Sequence, residues 1–394
     1  MKIGIHFFTT GADIGGGFTF GEQIIKAIRQ CSAAKKHEIL IFTPISLSFV
    51  QKHEGFQEVI IPQEEATPFP TRVKNFALRR LGRSVSSPLS ALQKKIQEEN
   101  PDIIYFIDPF YAENVDVPYI VTVWDLQHRL QPFFPEVRIL NTWEKRERMF
   151  SNVLGKAAYI IACNETGKNE VMNFYGIPSE RIAMLPHPTP SFALEAGDGD
   201  LTVLQKFNLR YQEYLFYPAQ FWAHKNHIAI LDVIASLHAQ GLQMKAVFSG
   251  SDKGNKDYIM QTAELMGISD QIVFAGFVDR EELIALYRNA FALSYASFFG
   301  PENLPPLEAF ALGCPVIASD ANGVREQLGD AALYFNPKKP EELVNQILVL
   351  SNVDVRNAMI EKGKIRCQTR RVEDFALGFF DIIDSFSAIK RTWK

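Results

Sequence analysis

Short, continuously apolar runs alternate with helical segments along this chain, and the alternation occurs twice. In the first half the runs are Ile3–Phe8, Ile39–Thr43, Val59–Ile61, Ile103–Ile107, Tyr119–Val123 and Tyr159–Ala162. A strand that is apolar on both faces must be covered on both, which a parallel sheet flanked by helices achieves. Leu185–Asp200, rich in Pro, Gly and acidic residues and without a period, breaks the pattern and reads as a linker. Strands at Tyr214–Tyr217, Met244–Ser249, Ile272–Phe274, Phe291–Ser294 and Val316–Ala318 then resume it.

The expected fold class is therefore α/β: two doubly wound, Rossmann-like domains facing each other across a cleft. A length of 394 residues is more than one core usually serves and fits two domains. We place them at 1–188 and 189–374, followed by a helix at 375–394. That helix carries Phe375, Phe379, Ile382, Ile383, Phe386 and Ile389 at helical spacing, and either ends the second domain or crosses back to brace the first. Shorter signals punctuate the first half. Ser87-Pro88 reads as a helix start with Leu89, Leu92 and Ile96 on one face, and Asn164 reads as the cap of a helix closed by Gly176.

A formal charge of −4 gives no reason to expect a nucleic-acid partner, since phosphate-tracking proteins carry a basic excess. The start, MKIGIHFF, lacks a leader's apolar core, and no apolar run reaches the ~20 residues that span a bilayer, so a cytoplasmic protein is expected. Cys31, Cys163, Cys314 and Cys367 lie too far apart for zinc or dithiol spacing and read as ordinary thiols.

Ligands of open α/β sheets sit beyond the carboxyl ends of the strands, and the loops there carry the candidates. After the first strand comes GADIGGGFTF, opening a helix near Thr19; Gly15, Gly16 and Gly17 let backbone approach a charged group closely. The spacing is neither G-x-G-x-x-G nor G-x-x-x-x-G-K-[ST], which disfavours a nicotinamide site and a P-loop. In the second half, PAQFWAHKNH sets Lys225 and Asn226 at the start of a helix, where an ammonium meets a diphosphate well. Ser249-Gly250-Ser251 borders the same place, and Gly276-Phe277-Val278 offers backbone to a base edge. GPENLPPLEAFALGCPVIASD, 300–320, reads as loop, short helix and buried strand. Its helix start suits phosphate and its Glu308 suits a sugar hydroxyl. Asp125 and His128 follow a first-domain strand and either orient a reacting hydroxyl or, for His128 and Arg129, pair with nearby carboxylates. Asp198-Gly199-Asp200 follows no strand and is not read as a metal site.

At Lys225-Asn226 and LPPLEAFALGCPVIASD the chain resembles the family 4 retaining glycosyltransferases of the GT-B fold, well from about Tyr214 to Pro337 and more loosely before. The resemblance implies a nucleotide-diphosphate sugar held by the second domain, a saccharide or lipid-linked acceptor on the first, and neither cofactor nor obligatory metal. It gives the diphosphate to Lys225, the ribose to Glu308, phosphate or donor sugar to the backbone of Asn303 and Leu304, and the base to 276–278. Three departures stand out. Glu302 is offset from the family's first glutamate, whose place is Gly300, and either replaces that carboxylate as a catalytic residue or leaves the sugar to be held by backbone alone; Gln220 stands where an arginine is usual; and Trp124 precedes Asp125 where a histidine is usual. The stretches DLQHRLQPFFPEV and G-P-x-N-[IL]-P-P-L-E-A resemble a bacterial mannosyltransferase-like subgroup, which makes GDP-mannose or a UDP-sugar the expected donor. Arg72, Lys74, Arg79, Arg80 and Arg83, interleaved with Phe69, Phe76, Leu78 and Leu81, suggest a peripheral membrane contact.

Overall fold

The structure, a computed structural model, describes residues 1–8, 16–47, 55–62 and 90–393. Gly15, the Ser87–Leu89 helix start and the basic segment 69–83 lie outside the described residues.

Two parallel sheets organise the chain. The first contains β1 (Lys2–His6), β2 (Glu38–Thr43), β3 (Phe56–Ile60), β4 (Ile103–Phe106), β5 (Tyr119–Val123), β6 (Tyr159–Ala162) and β7 (Ile182–Met184), in the order β3-β2-β1-β4-β5-β6-β7. The second contains β8 (Tyr214–Pro218), β9 (Lys245–Ser249), β10 (Ile272–Gly276), β11 (Ala292–Tyr295), β12 (Val316–Ser319) and β13 (Ala332–Phe335), in the order β10-β9-β8-β11-β12-β13. The strand order reverses between β1 and β4 and again between β8 and β11, so each sheet opens a ligand crevice at that point. The central strands are almost wholly buried: Ile103–Phe106 and Tyr119–Val123 in the first sheet, Ala292–Tyr295 and Val316–Ser319 in the second. That is the physical content of their unbroken apolar sequence.

Five helices position the cleft: α1 (Gly16–Gln30), α2 (Glu165–Tyr175), α3 (His227–Ala239), α4 (Leu304–Ala311) and α5 (Val372–Lys390). The α1 helix begins at Gly16, three residues before the expected Thr19. Asn164 caps α2 by accepting from the Gly167 amide at 2.8 Å, and Gly176 ends it at φ +64°. The helix Ala91–Glu99 is capped by Ser90, in a reciprocal box with Gln93, and its Leu92 and Ile96 are buried as expected.

Other differences are local. β7 and β13 were not read as strands, because each is a short edge element with side chains that are only partly covered. The stretch 185–200 contains one helical turn, Ser191–Leu194.

The α5 helix packs on α1 and the first sheet: Phe375, Phe379, Phe380, Ile382, Ile383 and Phe386 share one core with Ile24, Ile28 and Tyr105. Phe380 stacks on His37 at 5.5 Å, and Lys390 pairs with Asp102. Ile389, counted with the apolar face in sequence, is instead 54% exposed beyond it. No helix among the described residues is long and apolar enough to cross a membrane.

Candidate active site

Between the two sheets lies a cavity of about 490 Å³. Trp124, Asp125, Glu136 and Arg146 line it from the first domain, Trp222, His224, Lys225 and the loop 299–303 from the second, and His187 from the chain between them.

Lys225 stands at the end of a short 3₁₀ turn, Ala223–Lys225, between β8 and α3. Tyr217 donates its hydroxyl to the Lys225 carbonyl at 2.7 Å, and the Phe298 amide donates to the His224 carbonyl at 2.8 Å, so the turn is held from both sides. Asn226 takes the left-handed conformation (φ +55°) that lets α3 start there, and its amide reaches the Pro337 carbonyl at 3.0 Å. The Lys225 ammonium donates to the Tyr295 hydroxyl at 2.9 Å, which in turn donates to Asn303 Oδ1 at 2.7 Å. Among the described residues no carboxylate pairs with this lysine, so its charge is available to an anion in the cavity.

The α4 start is more constrained than the sequence suggested. Pro305 and Pro306 occupy its first turn and carry no N–H, and the Asn303 amide is already donated to Gln327 Oε1 at 3.0 Å. The expectation that the Asn303 backbone binds phosphate is corrected accordingly: Leu304 supplies the amide that remains. Its side chain packs on the first domain's core and lies 3.7 Å from where a Cβ on Gly16 would be. The N-termini of α1 and α4 thus approach each other across the cleft, with Gly17 open to space. Both contribute positive dipole ends to the same region.

Glu308 lies one turn further along α4, buried, and accepts from the Tyr287 hydroxyl at 2.7 Å. Burial pushes its carboxyl up to about 7, the tyrosine hydrogen bond opposing it. It does not line the cavity. Gln220 accepts from the Trp222 indole at 3.0 Å, holding that ring at the cavity wall. The Gly250 amide donates to the Gly276 carbonyl at 3.0 Å, and Gly250, at φ +151°, sits so close to Ala219 that a Cβ would lie 2.6 Å from its carbonyl oxygen. Only glycine fits there. Phe277 is 67% exposed, whereas Val278 turns into the core, which leaves Val278 only its backbone for a ligand.

Glu302 departs most from its expected role. Its Oε1 receives Arg370, and its Oε2 accepts the His187 amide at 2.7 Å. Burial nonetheless raises its carboxyl to about 6, against the lowering effect of Arg370. Both oxygens are committed, so Glu302 acts as a strut and not as a free catalytic acid.

On the first-domain side, Asp125 accepts from Arg146 at 2.6 Å and from the Gln127 amide at 2.9 Å. Burial pushes its carboxyl up, but the Arg146 charge and these hydrogen bonds outweigh it and hold the group below the usual carboxylate range. Asp125 is a cavity residue; His128 is not. His128 is fully buried, stacked on Phe150 at 5.3 Å, with Nε2 3.1 Å from Glu147, which also holds Arg129. Burial, then Arg146, lowers its pKa to about 4. The expectation of catalytic contact by His128 is corrected: it stabilises the loop from behind.

Sequence reasoning passed over two glutamates that bridge the domains, of which Glu136 also lines the cavity. Glu136 reaches across the cleft, its Oε1 accepting from the His224 amide at 3.1 Å and lying 2.5 Å from His224 Nδ1. Glu326 of the second domain caps the start of α2 in the first, accepting from the Glu165 and Thr166 amides at 2.9 and 3.1 Å. No local motif announces such pairs. The sole advance signal was that FFPEV and AHK fell in loops on opposite sides.

Residues 21–190 match the family model described as Glycosyltransferase Family 4, and residues 204–366 match that of Glycosyl transferases group 1. The chain belongs to the family 4 glycosyltransferases. Among the chain's relatives, the O-antigen chain mannosyltransferase B of Escherichia coli is 26% identical over 250 residues, 63% of this chain. The match takes in 65% of that relative's own length, just short of two thirds. In structure the family 4 chain is similar to Anabaena HepE in complex with UDP-glucose, with a TM-score of 0.71 and 17% identity over 98% of this chain and all of that one. It is equally similar to WaaG, a glycosyltransferase involved in lipopolysaccharide biosynthesis, at TM-score 0.71 and 16% identity over 97% and 99% of the two chains. The fold is GT-B.

Proposed function

We propose that this chain is a retaining, metal-independent hexosyltransferase that moves mannose from a nucleotide-diphosphate sugar, GDP-mannose first among them, to a saccharide or lipid-linked saccharide acceptor in polysaccharide biosynthesis. The observation that carries the reading is Lys225, an unpaired ammonium on the wall of the interdomain cavity, beside the converging starts of α1 and α4. Breaking the bond between a sugar and a diphosphate builds negative charge on the leaving phosphate. A fixed cation and oriented amides in a water-poor cleft stabilise that charge without reorganising. The acceptor hydroxyl attacks the face that the phosphate leaves, and a departing phosphate oxygen takes its proton. This scheme asks for no strong protein base, which suits a cavity whose carboxylates Asp125, Glu136 and Glu302 are all engaged. Glu308, which lies one turn along α4 beyond the cavity wall, is assigned to the ribose by the family resemblance, the backbone at 276–278 to the base, and Asp125 to the acceptor hydroxyl. Mannose is favoured by the 26% identical relative named as a mannosyltransferase.

The test is incubation of the wild-type chain with GDP-mannose or UDP-glucose and oligosaccharide or lipid-linked acceptors, with and without EDTA. We expect free nucleoside diphosphate together with a new glycosidic bond of the donor's own anomeric configuration. Nucleotide binding without transfer to any acceptor would identify a non-catalytic binding protein, and epimerisation or hydrolysis without acceptor would identify an epimerase of the same fold.

A further inference from the structure

His187 is a cavity residue that the preceding reading does not use. It is only 5% exposed, and both Nδ1 and Nε2 are buried without a hydrogen-bond partner among the described residues, although the residue is one of those that line the cavity. A buried imidazole normally finds partners for its polar atoms. Its position is nonetheless tightly defined. The ring lies between Phe20 and Trp124, at 5.0 and 5.4 Å, and its amide is held by Glu302 at 2.7 Å. Trp124 offers no polar atom in its place, because its indole N–H is donated to the Ile107 carbonyl at 3.1 Å.

The chemistry of the imidazole narrows what it can take. Burial, then the charge of Arg370, lowers its pKa to about 3, so the ring is neutral and carries one donor and one acceptor. That pair matches a hydroxyl, which both accepts and donates, and does not match a phosphate. A cation is the rival, because Cys163, His187 and Glu302 bring ligand atoms within 4.8 Å of one another. It is disfavoured: Glu302 already holds the Arg370 guanidinium on one oxygen and a backbone amide on the other, and Nδ1 stands 3.9 Å from it.

We propose that His187 is a specificity-determining residue that hydrogen-bonds a hydroxyl of the transferred sugar. The inference rests on the nucleotide-sugar reading above and assigns the sugar side of that site. The donor sugar is chosen over the acceptor because Glu302, which pins the His187 backbone, directly precedes Asn303 on the second-domain loop. The imidazole is thereby tied to the donor side.

Calorimetric titration of wild type, His187→Phe and His187→Asn with GDP-mannose, UDP-glucose, GDP and UDP tests this. For whichever sugar nucleotide the wild type binds, His187→Phe should weaken affinity at least about tenfold while changing the sugar-free diphosphate less than about twofold. His187→Asn, which keeps a donor and an acceptor, should recover part of the loss. Unchanged affinity for the sugar nucleotide in His187→Phe overturns the proposal, as does equal loss of both ligands. If the Phe variant does not fold, the Asn variant decides: wild-type discrimination between sugar nucleotide and diphosphate supports the role, and equal weakening of both overturns it. Stoichiometric zinc binding by wild type that Cys163→Ala abolishes would make the cluster a metal site instead. A wild type that binds none of the four ligands removes the nucleotide-sugar reading itself, and a wild type that binds GDP or UDP but neither sugar nucleotide overturns only the present proposal.

Discussion

The two walls of the cleft are built in different ways. On the second-domain side, Lys225, Asn303 and the α4 start come from two continuous loops, each directly after a strand, and the partners that fix them, Tyr217, Tyr295, Phe298 and Gln327, all belong to the same domain. On the first-domain side, Asp125 is held by Arg146, and Glu136 is held by His224 of the other domain across 88 positions. One wall is held within its own domain; the other is completed by a pair that crosses the cleft.

That contrast is open to attack. The largest effect should come from Lys225→Ala, which removes the unpaired cation and should lower turnover of the donor at least about tenfold, or about 1.4 kcal/mol of transition-state stabilisation. Unchanged steady-state kinetics would break the claim that the second wall handles the diphosphate. Arg146→Ala should act on the other wall alone: acceptor kcat/KM falling about fivefold as Asp125 loses its partner, with UDP and GDP affinity unaltered. Parallel losses in nucleotide binding would erase the distinction between the walls.

A stability measurement sharpens the comparison from within the second domain. The Glu308 carboxyl is raised by burial to about 7 from its ordinary 4.5, so the folded state holds a proton that the unfolded state has released between those pH values. Its contribution is fully present below about pH 4.5 and fades as the pH rises through 7. Glu308→Gln, which cannot ionise, should therefore gain stability relative to wild type across that window, by on the order of 1 kcal/mol in denaturant melts. A constant difference between pH 4.5 and 7 would contradict the buried state of this group. The smallest effect is expected of Glu326→Ala, which strips the cap that one domain places on a helix of the other. The exposed position limits the loss to less than about 1 kcal/mol, seen as a lower Tm.

The difference between the walls also explains what the sequence made legible. The doubly wound sheets were readable because strands buried on both faces have no polar positions to disguise them, as at Ile103–Phe106 and Val316–Ser319. Lys225 and the 300–320 stretch were readable because loop, helix start and strand are consecutive there. The sequence left His128 open between a reacting hydroxyl and a carboxylate partner, since its distance from Asp125 says nothing about which way a four-residue helical turn, Gln127–Leu130, aims it; the structure pairs it with Glu147. Glu302 was misread for a similar reason, because its partner Arg370 lies 68 positions away. His187 left no trace, being one histidine in a stretch whose prolines made it look like a spacer.

The last helix has a consequence for how such proteins can be recombined. Its aromatic face belongs to the core of the first sheet, although more than 180 residues separate it from β7. The first domain is thus finished by the chain's final residues. An exchange of second domains between two relatives at a single junction near residue 200 would bring in a foreign closing helix whose rings were shaped against another α1. A working hybrid needs two crossovers, the second near Arg371, so that the native tail returns to the surface it fits.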